Sequence, residues 1–214
     1  MQKRYALSFI IIFLFISTQL EAQRFKAAAI AGINLSQMDG DDRIGFDKLG
    51  FQFGIKGIAI LTERLHINTE ILFSQKGAKF QSRPYKETKD YTINLNYMEV
   101  PFLVDVLLSK IEKDHYRHHF MAGVSYARLI GSSFTEPENT PITYKPLEDD
   151  FNKNELSVVF GYAYYITQNI GIGIRYTVAT TRLFEREGKV SPNDANQSKF
   201  LRNYHISARL VYSF

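Results

Sequence analysis

The C-terminal stretch Tyr204-His205-Ile206-Ser207-Ala208-Arg209-Leu210-Val211-Tyr212-Ser213-Phe214 alternates with a period of two. Tyr204, Ile206, Ala208, Leu210, Tyr212 and Phe214 make one greasy, aromatic face. His205, Ser207, Arg209, Val211 and Ser213 make the other, mostly polar one. Such alternation marks a β-strand whose faces meet unlike surroundings. A strand of about 9 to 11 residues is long enough to cross a bilayer at barrel tilt.

The same dyad recurs upstream. Ile170, Ile172, Ile174, Tyr176 and Val178 oppose Gly171, Gly173, Arg175 and Thr177, and Leu156 to Tyr164 alternates likewise against Glu155 to Ala163. Leu65, Ile67, Ile71 and Phe73 oppose His66, Asn68 and Glu70. Phe51, Phe53, Ile55 and Leu61 face away from Gln52 and Lys56. Phe25–Ser36 and Phe120–Ile130 complete the set more weakly, with Arg128 falling on the apolar face of the latter, where it can snorkel to headgroups. In Tyr91–Leu108 the apolar positions are odd at first (Ile93, Leu95, Tyr97) and even later (Val100, Phe102, Val104, Val106). An extra residue near Tyr97–Pro101, a β-bulge, would produce that phase change, and Pro101 lacks the N–H of a regular ladder.

The connections run long, short, long, medium, long, short, long: residues 37–50, 62–64, 77–90, 109–119, 131–153, 166–168 and 181–203. Bacterial outer-membrane barrels have an even strand count, short periplasmic turns, long outer loops, an apolar outer face and a polar lumen. The expectation is an all-β, eight-stranded antiparallel up-and-down transmembrane β-barrel with both termini in the periplasm. A soluble lipocalin-like barrel is the competing reading. It calls for an apolar interior, whereas Lys56, Glu70, Arg175 and Arg209 lie on the second faces.

The 214 residues suffice for one domain. Lys3 and Arg4 precede an uncharged run from Ala6 to Ile16, and Ala22 precedes the expected cut, so residues 1–22 read as a cleaved signal peptide and 23–214 as the barrel. The run is too short for a spanning helix, which needs about 20 apolar residues. Cysteine is absent, which removes disulfides, thiolate metal sites and a cysteine nucleophile. Taking Lys3, Arg4 and Glu21 away from 26 basic and 22 acidic residues leaves a formal +3, too scattered for nucleic acid.

Asn96-Tyr97-Met98-Glu99-Val100-Pro101-Phe102-Leu103 resembles the Tyr-Leu-Glu-Ile-Pro-Leu-Leu signature of the PorT-like outer-membrane barrels of Bacteroidetes. Gly32-Ile33-Asn34-Leu35-Ser36, Ala122-Gly123-Val124-Ser125-Tyr126 and Gly173-Ile174-Arg175-Tyr176 resemble further strands of that family. The resemblance implies residence in the Gram-negative outer membrane and contact with its lipid. The family's namesake is required for protease secretion, so another envelope or secretion protein is an implied partner. Tyr212 and Phe214 resemble the terminal aromatic signal read by the outer-membrane assembly machinery, although Arg209 stands where a glycine is common.

Lys56, Glu70, Glu99, Arg175 and Arg209 are expected to share one narrow lumen with His66 and His205 nearby. An eight-stranded barrel is only wide enough for its own side chains, so mutual neutralisation is expected rather than an ion path. His115, His118 and His119 form an H-x-x-H-H run in the medium turn, and Asp39-Gly40-Asp41-Asp42 is similar to the start of a calcium loop but lacks the later glutamate; both read as solvated polar segments. His66 and His205 are the histidines available for a rim-site enzyme, and neither accompanies a nucleophile motif. The expectation is therefore a non-enzymatic barrel without cofactor or metal, structural or adaptor in role, with its long loops as the presenting surface.

Overall fold

The computed structural model describes residues 25–39, 45–80, 91–112, 115–135, 151–185 and 200–214. The strands are β1 (Phe25–Asp39), β2 (Lys48–Ile60), β3 (Leu65–Phe80), β4 (Tyr91–Glu112), β5 (His115–Thr135), β6 (Asn154–Tyr165), β7 (Ile170–Ala179), β8 (Phe184–Glu185) and β9 (Phe200–Ser213). Eight of them form a ring in which each strand pairs antiparallel with its neighbours, β9 closing against both β7 and β1. The two-residue β8 stands outside the ring and pairs only with Leu201 and Phe200 of β9. The β1–β9 seam runs from Ala28 opposite Ser213 to Asp39 opposite Arg202, where an Arg202–Asp39 ion pair of 2.7 Å secures its outer end.

The alternating faces resolve as inside and outside. Ile55, Val124, Phe160, Ile174 and Leu210 point away from the lumen and are exposed, while Lys56, Ser125, Val159, Arg175 and Arg209 are buried. Apolar side chains outside and charge inside is the polarity of a membrane barrel. An apolar, ligand-holding interior of the lipocalin kind is not what the ring encloses.

β1, β2, β3, β5 and β9 run past their predicted outer ends, so the outer connections narrow to residues 40–47, 81–90, 136–153 and 180–199, the last carrying β8. The expected medium turn over 109–119 is instead a tight hairpin, because β4 continues to Glu112 and β5 starts at His115. His115, His118 and His119 therefore sit on a strand, whose two-residue period separates neighbouring side chains. His118 faces outward, its ring 2.7 Å from the Tyr162 hydroxyl, and His119 is buried in the lumen with its ring centroid 4.3 Å from that of Tyr165.

The phase change also lies elsewhere. Odd residues of β4 point inward from Ile93 through Leu107 without interruption. The extra residue belongs to β5: Asn96 pairs with Gly131 and Tyr97 with Leu129, leaving Ile130 unpaired. What reverses along β4 is its surroundings. Between Met98 and Leu108 the outward side chains are apolar and meet lipid; above Met98 they are Asn96, Asn94 and Thr92, and the apolar side chains turn inward. Near Pro101 the β3–β4 ladder skips Glu70 and Ile71, as an imide nitrogen without a hydrogen requires.

Two apolar layers close the ring. One holds Met38, Ile93, Leu95, Leu201 and, from the connections above the strands, Phe151, Leu183 and Phe184; the other holds Ala28, Ile58, Leu103, Val159, Tyr165 and Val211. The signal-peptide reading of residues 1–22 and most of the Asp39-Gly40-Asp41-Asp42 segment lie outside the described residues.

Candidate functional site

Interleaved with those apolar side chains, the lumen carries the charges. Lys56, Glu70, Glu99, Arg175 and Arg209 all lie within it, each less than a tenth exposed. They fall into three groups. Glu70 takes two guanidinium groups: Arg175 donates from Nη1 to Oε2 and from Nη2 to Oε1, both at 2.9 Å, and Arg209 Nη2 donates to Oε2 at 2.9 Å. Lys56 Nζ meets Asp105 Oδ2 at 3.3 Å. Lys76 Nζ lies 3.1 Å from Glu99 Oε2 and 2.9 Å from Glu155 Oε1, and 4.9 Å from the centre of the Tyr97 ring.

The network thus extends beyond the five predicted residues to Lys76, Asp105 and Glu155. The signal for them was present. Lys76 stands an even number of positions after Glu70, as Asp105 does after Glu99, so each shares the inward face of that glutamate on its own strand, and Glu155 was already on the polar face of its strand. The cations Lys56, Lys76, Arg175 and Arg209 match the anions Glu70, Glu99, Asp105 and Glu155 one for one. Buried Lys48 stands apart and donates to the carbonyl of Leu49 at 2.7 Å.

Neutral side chains complete the coordination. Ser125 Oγ donates to Glu99 Oε1 at 2.9 Å, and Asn203 Nδ2 donates to Glu155 Oε2 at 2.6 Å and to the Tyr97 hydroxyl at 3.1 Å. A cavity of about 10 Å³, room for about one water, lies beside Lys56, Glu70, Asp105 and Arg175. His205 is buried among these groups and does not lie at a rim, so the rim-site placement that sequence reading allowed for it is corrected. Burial of so much charge is tolerated because every member has a counter-charge and polar neighbours.

Tyr212 and Phe214 lie at the opposite end of the seam from Asp39. Both rings face outward and pack edge to face, with centroids 5.5 Å apart. The Phe214 N–H donates to the carbonyl of Ala27 at 2.9 Å, the Ser213 N–H to that of Asn169 at 2.7 Å, and Asn169 Nδ2 returns a 2.7 Å bond to the Ser213 carbonyl. The last residues are thus fastened to β1 on one side and to the β6–β7 turn on the other.

A closed antiparallel ring with a lipid-facing apolar belt and a charge-filled core defines an integral outer-membrane β-barrel of Gram-negative bacteria. The chain belongs to the family described as outer membrane protein beta-barrel domain, which matches residues 17–185. Among solved structures it is similar to Ail, the attachment invasion locus protein of Yersinia pestis, at 11% identity and TM-score 0.46, covering 89% of this chain and 99% of that one. Neisserial surface protein A aligns at 16% identity and TM-score 0.42, covering 89% and 97%. OprG of Pseudomonas aeruginosa aligns at 8% identity and TM-score 0.43, covering 90% and 97%. No curated protein matches the sequence.

Proposed function

We propose that this barrel is a closed, non-conducting and non-enzymatic scaffold that holds its extracellular side in place for another envelope component. The observation that carries the reading is the lumen, where four cations and four anions neutralise one another among buried apolar side chains. A barrel filled this way leaves no path for a solute, and what it offers to partners is its outer end. Loops and strand extensions held on a rigid scaffold are the usual seat of binding. Within this reading, the chain is exported behind a signal peptide, assembled into the outer membrane through its terminal Tyr212 and Phe214, and engages an envelope or secretion protein as the likeness to PorT-type barrels implies.

The test has two arms. Purified protein in planar bilayers is expected to give no single-channel steps, and open-channel conductance would overturn the closed lumen. In cells, deleting residues 137–149 or 187–198 is expected to remove a cross-linked partner that the intact protein captures. Unchanged cross-links after both deletions would overturn the adaptor role.

A further inference from the structure

Along β3, β4, β5 and β6 the outer wall changes chemistry in a fixed order toward the extracellular end. Val124, Phe102 and Val100 make an apolar belt that ends at Met98 and Ile130. At that edge stands Arg128, paired across the strands with Met98 on one side and Asn154 on the other. Its Nη1 donates to Asn154 Oδ1 at 3.1 Å, and the same oxygen accepts the Tyr126 hydroxyl at 2.7 Å. An amide oxygen carries no charge, so this contact orients the guanidinium without neutralising it, and among the described residues no carboxylate meets its remaining N–H groups.

Above Arg128 the wall of β4 and β5 is neutral and hydrogen-bonding, and β3 adds one further cation, Lys79, exposed opposite Thr92. Asn96 pairs with Gly131, Asn94 with Ser133 and Thr92 with Thr135. Gln75 Nε2 donates to Asn96 Oδ1 at 3.1 Å, and Asn94 Nδ2 to Ser133 Oγ at 3.3 Å. From Gly131 to Thr135 this ladder rises by roughly 14 Å at about 3.4 Å per residue. The extra residue at Ile130 brings Ser133 and Thr135 onto the outer face and sends Phe134 into the apolar layer inside. Among the described residues of these four strands, Glu70, Glu99, Asp105 and Glu155 all point into the lumen, and Glu112 lies at the periplasmic tip. Among the described residues, the extracellular half of this wall therefore offers two cations, Arg128 and Lys79, and neutral amides and hydroxyls with no carboxylate among them.

We infer that this wall docks a phosphorylated glycolipid of the outer leaflet, lipopolysaccharide, with its acyl chains on the belt, a phosphate on Arg128 and core sugars along the Asn94–Asn96–Ser133 ladder. The order of groups on the protein is the order of groups in that lipid. A guanidinium suits phosphate because its planar fork donates two parallel hydrogen bonds. Amides and hydroxyls both donate and accept, as sugar hydroxyls do. The inference rests on the barrel's place in the outer membrane and not on the adaptor role.

The test is native mass spectrometry of the detergent-solubilised barrel, titrated separately with core-bearing lipopolysaccharide, with its lipid A portion and with phosphatidylglycerol. The wild type is expected to prefer lipopolysaccharide over phosphatidylglycerol by about tenfold or more. Arg128→Gln is expected to weaken lipopolysaccharide and lipid A alike by about tenfold, the scale of a lost charged hydrogen bond. The double variant Asn94→Ala/Asn96→Ala is expected to weaken lipopolysaccharide severalfold while leaving lipid A unchanged. Heat-dependent gel mobility confirms that each variant has folded. If Arg128→Gln fails that check, Arg128→Lys keeps the charge, loses the fork and is expected to fall between the two. Equal affinity for phosphatidylglycerol and lipopolysaccharide in the wild type overturns the inference, as does lipopolysaccharide affinity that neither the arginine nor the asparagine variants reduce.

Discussion

Glu70 holds the lower charge group together. Its carboxylate accepts from Arg175 and Arg209, two guanidinium groups that repel each other. Glu70→Ala leaves two buried cations facing one another, and breaking such a group by removing one partner costs about 3–5 kcal/mol. The expected result is a lower urea midpoint for the detergent-folded barrel. A midpoint equal to wild type would show that solvent reaches the lumen and screens the pair. Gly77 is a residue-scale constraint of another kind. Its φ is +140°, and a Cβ there would run into the carbonyl oxygen of Ile93 on the neighbouring strand. Gly77→Ala is expected to cost more than about 1 kcal/mol, read by the same midpoint. Parity made the lumen charges legible in the sequence, since a residue's face follows from counting in twos. Which carboxylate meets which cation was not legible, because partners come from strands as far apart as Glu70 and Arg209 and depend on how the closed ring staggers.

At the scale of elements, the existence of eight strands and the facing of each were readable, whereas β4 was misread for a physical reason. Alternation reports contrast between two faces and does not say which medium each face meets. Where β4 leaves the lipid, the outside becomes wet and the covered inside becomes apolar, so an unbroken strand looks as if it had slipped by one. The true irregularity, Ile130, is hidden because one isoleucine among apolar neighbours leaves no mark. Deleting Ile130 would make Leu129 and Gly131 consecutive opposite Tyr97 and Asn96, a regular ladder in which Phe134 keeps its inward place opposite Ile93. The deletion is therefore expected to leave the unfolding midpoint within about 0.5 kcal/mol of wild type, as a change at an exposed position does. A midpoint lowered by about 1.5–3 kcal/mol, the worth of a buried aromatic ring, would show that the bulge is what holds Phe134 inside. The hairpin joining β4 and β5 supports a pH prediction. Glu63 accepts from Lys110 Nζ at 2.8 Å. That hydrogen bond and the ammonium charge hold the exposed Glu63 carboxyl below the usual carboxylate range. A carboxyl with a depressed pKa in the folded state stabilises the hairpin above its unfolded pKa, and the contribution disappears as pH falls through the folded value. Amide exchange at residues 109–112 and 115–117, corrected for its intrinsic pH dependence, is therefore expected to quicken on acidification. In Glu63→Gln the same amides should show no acid-dependent change.

For the molecule as a whole, closure depends on β9, which bonds to β1 along one edge and β7 along the other. Its last residues have two separable tasks. The backbone of Ser213 and Phe214 fastens the periplasmic end of the seam to Asn169 and Ala27, and that task does not depend on an aromatic ring. The rings of Tyr212 and Phe214 point outward, where they bury little against the protein and remain accessible to a recognising surface. Phe214→Ala therefore separates stability from recognition. Refolded into detergent, the variant is expected to unfold within about 0.5 kcal/mol of wild type, the usual range for an exposed substitution. In cells, the proposed role of the terminal aromatic as the signal read by the assembly machinery before the seam exists leads to the expectation that the yield of heat-modifiable barrel falls severalfold. If the cellular yield falls only as far as the refolded stability does, the ring serves the girdle and not assembly. Tyr212→Ala should repeat the pattern, since the two rings pack edge to face on the same outward surface of the closing strand.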